Sequence, residues 1–174
     1  CDLAYGQGEE GNEKEEVTVT LNFTNEGAFG LKNNTSQSAL TNITFKVQDL
    51  SVSLYGMTCH FEGTNTYLRL DGNNNNNPGQ ISISVPNPAV IKSATLGTNR
   101  YKITNLHAKY TYNGKEKDEE ISVKANKTAT VSSINSNNVS FIEKGSNQSL
   151  ITSITLTITR PKLDATLDEK GENV

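Results

Sequence analysis

Tyr67 and Arg69 stand two residues apart, with Asp71 and Asn73 following in the same spacing. An aromatic ring, a guanidinium, a carboxylate and an amide in one short stretch are the groups that recognise sugars. The ring takes the apolar face of a pyranose, and the polar groups take its hydroxyls. Arg100, Tyr101 and Tyr110 extend the set of candidate ligand-binding residues further along the chain. The chain contains no Trp, so tyrosine has to supply the aromatic surface. Each tyrosine taken singly can equally sit at the edge of a core with its hydroxyl in water. Convergence in space is what distinguishes a site from a set of core-edge residues.

Catalytic constellations are missing. There is no Ser-nucleophile elbow, no helical zinc pair and no glycine-rich phosphate loop. The two histidines, His60 and His107, are isolated from one another. His60 follows Cys59 in a short alternating run, so their side chains face opposite sides and cannot share a metal. The carboxylates Glu116, Asp118, Glu119 and Glu120 mix with Lys115 and Lys117 and read as a solvated loop rather than a pair facing across a cleft. The chain is therefore expected not to be an enzyme. Asp71, Asn73 and Asn75 place oxygens at every second position, which suits a hard cation such as calcium. The stretch lacks the glycine and bidentate glutamate of a helix–loop–helix site, and Asn-rich turns tolerate left-handed backbone without any ion. No metal and no cofactor is assigned.

These candidates need elements to hold them, and the stretch Tyr67–Pro86 (YLRLDGNNNNNPGQISISVP) shows the type. Leu68 and Leu70 alternate with Tyr67 and Arg69, and Ile81, Ile83 and Val85 alternate with Ser82 and Ser84. A period of two marks half-buried strands. Asp71–Gly79 between them is a polar loop rich in turn residues. The same pattern recurs at Val17–Thr24, Ile43–Val47, Leu50–Leu54, Met57–Phe61, Val90–Leu96, Tyr101–Tyr112, Thr128–Ile134, Val139–Ile142 and Leu150–Thr159. The parity of apolar residues changes at Gln48-Asp49 and again at Asn105, predicting a turn or bulge at each. Asn113-Gly114 is a two-residue hairpin signal. Phe29 and Leu31 are expected to reach the core from a loop. The fold class is all-β, an antiparallel β-sandwich or jelly roll of about ten short strands.

A chain of 174 residues is long enough for one core. Residues 17–160 are read as one sandwich domain, residues 1–16 as a disordered acidic linker and residues 161–174 as a polar tail. A net charge of −3 and a pI near 5.4 argue against a nucleic-acid partner. No apolar run is long enough to span a bilayer. Cys59 lies in MTCHF and reads as a small buried hydrophobe in preference to a partner for Cys1 in a disulfide.

Cys1 followed by DLAYGQGEEGNEKEE resembles the mature start of a bacterial lipoprotein, whose first Cys carries the lipid. The run Glu9, Glu10, Glu13, Glu15, Glu16 is similar to the export tails of Bacteroidota surface lipoproteins, departing from them in starting further behind the Cys. The succession LRL, ISISVP, IKSATL and ITSITLTI resembles galactose-binding-like jelly-roll modules of Bacteroidota cell-surface proteins. The resemblance implies lipidation at Cys1, an outer-membrane anchor, a surface location and a glycan ligand. The alternative is a structural or adhesive protein, such as a pilus-like subunit or an accessory component of an outer-membrane complex with a surface-protein partner.

Overall fold

The structure is a computed structural model that describes residues 13–33, 43–62, 65–72 and 78–162. The lipidation expected at Cys1, the candidate Asn73, and the parts of the linker and tail at 1–12 and 163–174 lie outside the described residues.

Strands dominate: β1 (Lys14–Asn22), β2 (Ile43–Val47), β3 (Leu50–Tyr55), β4 (Met57–Glu62), β5 (Asn65–Asp71), β6 (Gln80–Ser84), β7 (Val90–Gly97), β8 (Ile103–Tyr112), β9 (Lys115–Val123), β10 (Thr128–Val131), β11 (Asn138–Glu143), β12 (Gln148–Ile151) and β13 (Ser153–Pro161). One 3₁₀ turn, Ala28–Gly30, is the exception among the described residues. The strands form a four-stranded sheet in the order β1-β13-β7-β10, a six-stranded sheet β2-β3-β6-β11-β8-β9, and a three-stranded sheet β12-β5-β4. Every pairing is antiparallel. The fold is an all-β antiparallel sandwich.

Alternation builds the core. Val19 and Leu21 of β1, Ile154, Leu156 and Ile158 of β13, and Ala94 and Leu96 of β7 are buried on one face of the four-stranded sheet. Its other face carries hydroxyls in register: Thr20 pairs with Thr155, Thr155 with Thr95, and Thr95 with Thr130. Thr20 and Thr155 are hydrogen-bonded at 3.1 Å, and Thr95 and Thr130 at 2.8 Å, so this face stabilises itself by cross-strand pairs. The six-stranded sheet buries Leu50, Val52, Leu54, Ile81, Ile83, Val139 and Phe141. Leu31 is fully buried, and Phe29 packs edge-on against Phe23 and face-to-face with Phe45 at 4.7 Å. The loop thus reaches the core as expected.

The turns fall where the parity shifts. Gln48 has φ 55° in the β2–β3 turn, and Asn113 and Gly114 have φ 53° and 77° in the β8–β9 turn. The register of β8 against β9 slips between Ile103 and Leu106, around Asn105.

Three expectations need correction. First, β1 begins at Lys14, inside the stretch read as linker, because Glu15 and Glu16 pair with Arg160 and Thr159 and Glu15 Oε2 accepts from Arg160 Nε at 2.7 Å. Second, Leu150–Thr159 is not one strand: Thr152 separates β12, in the three-stranded sheet, from β13, in the four-stranded sheet. Third, Lys115–Glu120 is the outer part of β9 rather than a solvated loop. Charges persist there because the strand borders the sheet and pairs across it diagonally. His107 Nδ1 lies 2.6 Å from Asp118 Oδ1, and Lys109 Nζ lies 3.4 Å from Glu116 Oε2.

Candidate functional site

β5 presents Tyr67, Arg69 and Asp71 on the face opposite Leu68 and Leu70, which are fully buried. Its neighbours complete the face. His60 of β4 is paired with Tyr67, and their rings stack at 5.2 Å. Arg69 is paired with Thr58 of β4 on one side and Leu150 of β12 on the other. Arg69 Nε approaches Asp71 Oδ1 to 2.9 Å as an ion pair, though neither atom has hydrogen-bond geometry to any partner. Arg69 also donates from Nη2 to Thr58 Oγ1 at 3.3 Å. The two charges hold each other along the strand, beside Tyr67.

Tyr101 reaches the same region from the β7–β8 loop. That loop is pinned at several points. Thr98 Oγ1 lies 2.7 Å from the Tyr101 carbonyl oxygen and 2.6 Å from that of Leu150. The Tyr101 N–H donates to Asn99 Oδ1 at 3.0 Å, and the Asn126 N–H donates to the Asn99 carbonyl at 2.7 Å. With its backbone tied down, the Tyr101 ring stands out, 47% exposed. The Arg100 guanidinium covers one of its faces at 4.9 Å, a cation–π contact.

Between the two tyrosines lies a cleft of about 560 Å³. Tyr67, Gln148 and Leu150 form its side on the three-stranded sheet. Tyr101, Lys102 and Thr104 form the opposing side, and Ser146 and Asn147 of the β11–β12 loop close one end. That loop is built on Glu143, 1% exposed, whose carboxylate accepts from the Ser149 hydroxyl and from the Gly145 N–H. Gly72 packs under the same loop, its N–H donating to the Asn147 carbonyl at 2.8 Å. Two aromatic rings, one ammonium, two amides and two aliphatic hydroxyls face a common volume. This is a surface for stacking and hydrogen bonding, and no carboxylate lines it.

The sequence-predicted residues divide accordingly. Tyr67 and Tyr101 are brought together, and Arg100 adjoins them through Tyr101. Arg69 and Asp71 share the strand face but are spent on each other. Tyr110 does not belong: it is 8% exposed, with its hydroxyl 3.4 Å from Glu119 Oε1. Burial, and then the neighbouring Glu119 carboxylate, push its phenol above the usual range. The reason is parity, since Tyr110 shares the inward phase of Leu106 and Ala108. Lys102, Gln148, Asn147 and the stacked His60 escaped the sequence reading. His60 is recoverable only once β4 and β5 are known to pair. Among the described residues no cluster of His, Cys, Asp or Glu is placed to hold a metal ion.

A second groove, of about 310 Å³, crosses the outer face of the six-stranded sheet over Thr44, Ser51, Ser53, Ser82, Ser84 and Ser140. Its floor is of small side chains, and Ser82 and Ser140 bond each other at 2.8 Å. Phe45 borders it, but that ring is stacked on Phe29. It offers shape without the free aromatic surface of the tyrosine cleft.

No family model matches the chain, and no curated protein does. Among solved structures it is similar to CBM29_1, a family 29 carbohydrate binding module from Piromyces equi, at 8% identity and a TM-score of 0.43, over 82% of this chain and 91% of that one. It is also similar to the Drosophila melanogaster CENP-C cupin domain, at 10% identity and a TM-score of 0.27, over 76% of this chain and 89% of that one. Both likenesses are too distant to carry a ligand from those proteins to this chain.

Proposed function

We propose that this sandwich is a non-catalytic glycan-binding domain and that the cleft between Tyr67 and Tyr101 is its contact surface. The observation that supports this reading is the meeting of two tyrosines, one on β5 and one in the β7–β8 loop, on one concave volume, with Gln148 and Asn147 beside them. Rings held by packing and amides held by strands bind at low ordering cost. Tyr67 is backed by His60 and Tyr101 by a tethered backbone, so neither has to be organised by the ligand. Affinity electrophoresis and calorimetry against a panel of neutral and acidic polysaccharides test it. Tyr67→Ala and Tyr101→Ala are each expected to weaken binding about tenfold or more, the cost of losing a stacking platform. Binding that survives both substitutions would place the ligand elsewhere.

The groove of the six-stranded sheet favours a second reading, a structural or adhesive domain that docks another protein on its serine face. β2 is the end strand of that sheet among the described residues, and edge strands accept a strand from a partner. Concentration-dependent association lost on introducing Ser53→Arg, with the tyrosine variants silent, would support this reading over the first.

A further inference from the structure

The charge around the cleft narrows the ligand class. Resting on the glycan reading above, we infer that the cleft selects anionic polysaccharides, those bearing uronate carboxylates or sulfate esters. The chain carries a net charge of −3, yet the residues lining the cleft include Lys102 and no carboxylate. Arg100 lies over the Tyr101 ring immediately beside it.

Backbone bonds set two further cationic residues beside the loop that carries Tyr101. The Thr98 N–H donates to the Lys127 carbonyl and the Asn126 N–H to the Asn99 carbonyl, which seats the turn Lys124–Lys127 against the loop that carries Tyr101. Lys124 and Lys127 are both exposed. Neither 98–102 nor 124–127 contains an Asp or Glu. The acids nearest the cleft are otherwise engaged: Asp71 with Arg69, and Glu143 buried beneath Ser149 and Gly145. On β9, Asp118 is bound to His107 and Lys144, Glu116 to Lys109, and Glu119 takes the Tyr110 hydroxyl. A cationic rim around a stacking surface attracts an anionic chain over roughly a Debye length, about 10 Å at 0.1 M salt, and a lysine at the ring edge meets a charged substituent directly.

The test is calorimetric titration of the full chain with polygalacturonate, dextran sulfate, and the neutral polymers galactan and mannan, at low and high salt. Polygalacturonate or dextran sulfate is expected to bind at least about tenfold tighter than either neutral polymer, the scale of one charge-assisted hydrogen bond. Which anion wins separates carboxylate from sulfate recognition. Lys124→Gln with Lys127→Gln should lower that preference while retaining the tyrosine-dependent binding of neutral polymers, and Lys102→Gln and Arg100→Gln, at the cleft itself, should weaken the acidic polymers more than the neutral ones. Equal, tyrosine-dependent binding of neutral and acidic polymers overturns the anionic preference and leaves the glycan reading intact. Acidic-polymer binding that is indifferent to Tyr67→Ala and Tyr101→Ala is non-specific ion pairing and overturns the inference. Absence of binding to every polymer overturns both.

Discussion

Replacing Thr98 with valine removes one buried hydroxyl that joins the two walls of the cleft. Thr98 is 7% exposed, and its oxygen lies 2.7 Å from the Tyr101 carbonyl and 2.6 Å from the Leu150 carbonyl. A hydroxyl has one proton to give, so it serves one carbonyl at a time and shares itself between them. The first carbonyl belongs to the loop that presents Tyr101, the second to β12. Valine keeps the branched shape and the strand preference but has no donor. The loss of one such bond costs about 1 kcal/mol net, rising to about 3 kcal/mol where a buried acceptor is left unsatisfied. Taking about 2 kcal/mol, and about 2–4 °C of melting temperature per kcal/mol for a domain of this size, Thr98→Val should melt about 4–8 °C lower. Differential scanning calorimetry of the full chain measures this. A second consequence appears well below the melting range. With one of its anchors gone, the Tyr101 loop has to be ordered in part by the ligand, at about 0.5–1.5 kcal/mol for one aromatic side chain. Glycan affinity should fall about two- to tenfold in a protein that is still folded. A melting temperature indistinguishable from the parent would refute the reasoning, since both carbonyls would then have other donors.

Two further substitutions probe the surroundings. Gly72→Ala puts a methyl group against the carbonyl oxygens of Gly145 and Asn147 and 2.8 Å from Glu143 Cγ. Backbone atoms cannot step aside, so the β11–β12 loop must shift, at about 1–3 kcal/mol. Chemical denaturation should show that loss, and binding at the Asn147 end of the cleft should weaken with it. Cys59 is fully buried, and burial pushes its thiol from 9.0 up to about 11. The folded-state value is the higher one, so the associated stability is intact below pH 9 and drains away as pH rises towards 11. In that window the unfolded chain ionises its thiol and the folded chain does not. The loss is about 2 kcal/mol at pH 11. The stability of Cys59→Ala should fall less steeply over the same window, and parallel urea-denaturation profiles would contradict the assignment.

The parts of the fold that were legible are those decided within a few residues. Alternation places Leu68 and Leu70 inside and Tyr67 and Arg69 outside wherever β5 finds its partners, because the pleat alone decides it. Gln48 and Asn113-Gly114 make their turns from local backbone preference, and the slip at Asn105 is visible as a change of parity. Sheet membership is a different kind of information. β5 and β6 flank one loop yet belong to different sheets, and no local feature of LDGNNNNNPGQIS says so. In LITSITLTIT a single residue, Thr152, carries the chain from one sheet to another, while the apolar pattern barely falters. β9 was hidden for the opposite reason. Its first six residues are exposed, so no hydrophobic period marks them, and the strand is held by its ladder to β8 and by side-chain contacts such as that of His107 with Asp118. That pair also holds the Asp118 carboxyl below its usual range, assisted by Lys144.

The site shows the same division in one residue type. Tyr101 and Tyr110 are nine positions apart around one strand, and the sequence offers both as aromatic platforms. Tyr110 follows the inward phase of β8, so the force that makes the strand amphipathic also withdraws the ring from any ligand. Tyr101 precedes the strand, where no pleat dictates direction, and its outward stance comes from Thr98 and Asn99 gripping its backbone. Its partner ring, Tyr67, is delivered by a strand of another sheet. A ring kept on the surface at 47% exposure gains little for folding, and the hydrogen bonds that fix its loop are spent on backbone geometry. The arrangement is therefore costlier than one that tucks Tyr101 against the sheet beside it. That surplus order is why the proposed binding surface is the cleft rather than either tyrosine alone.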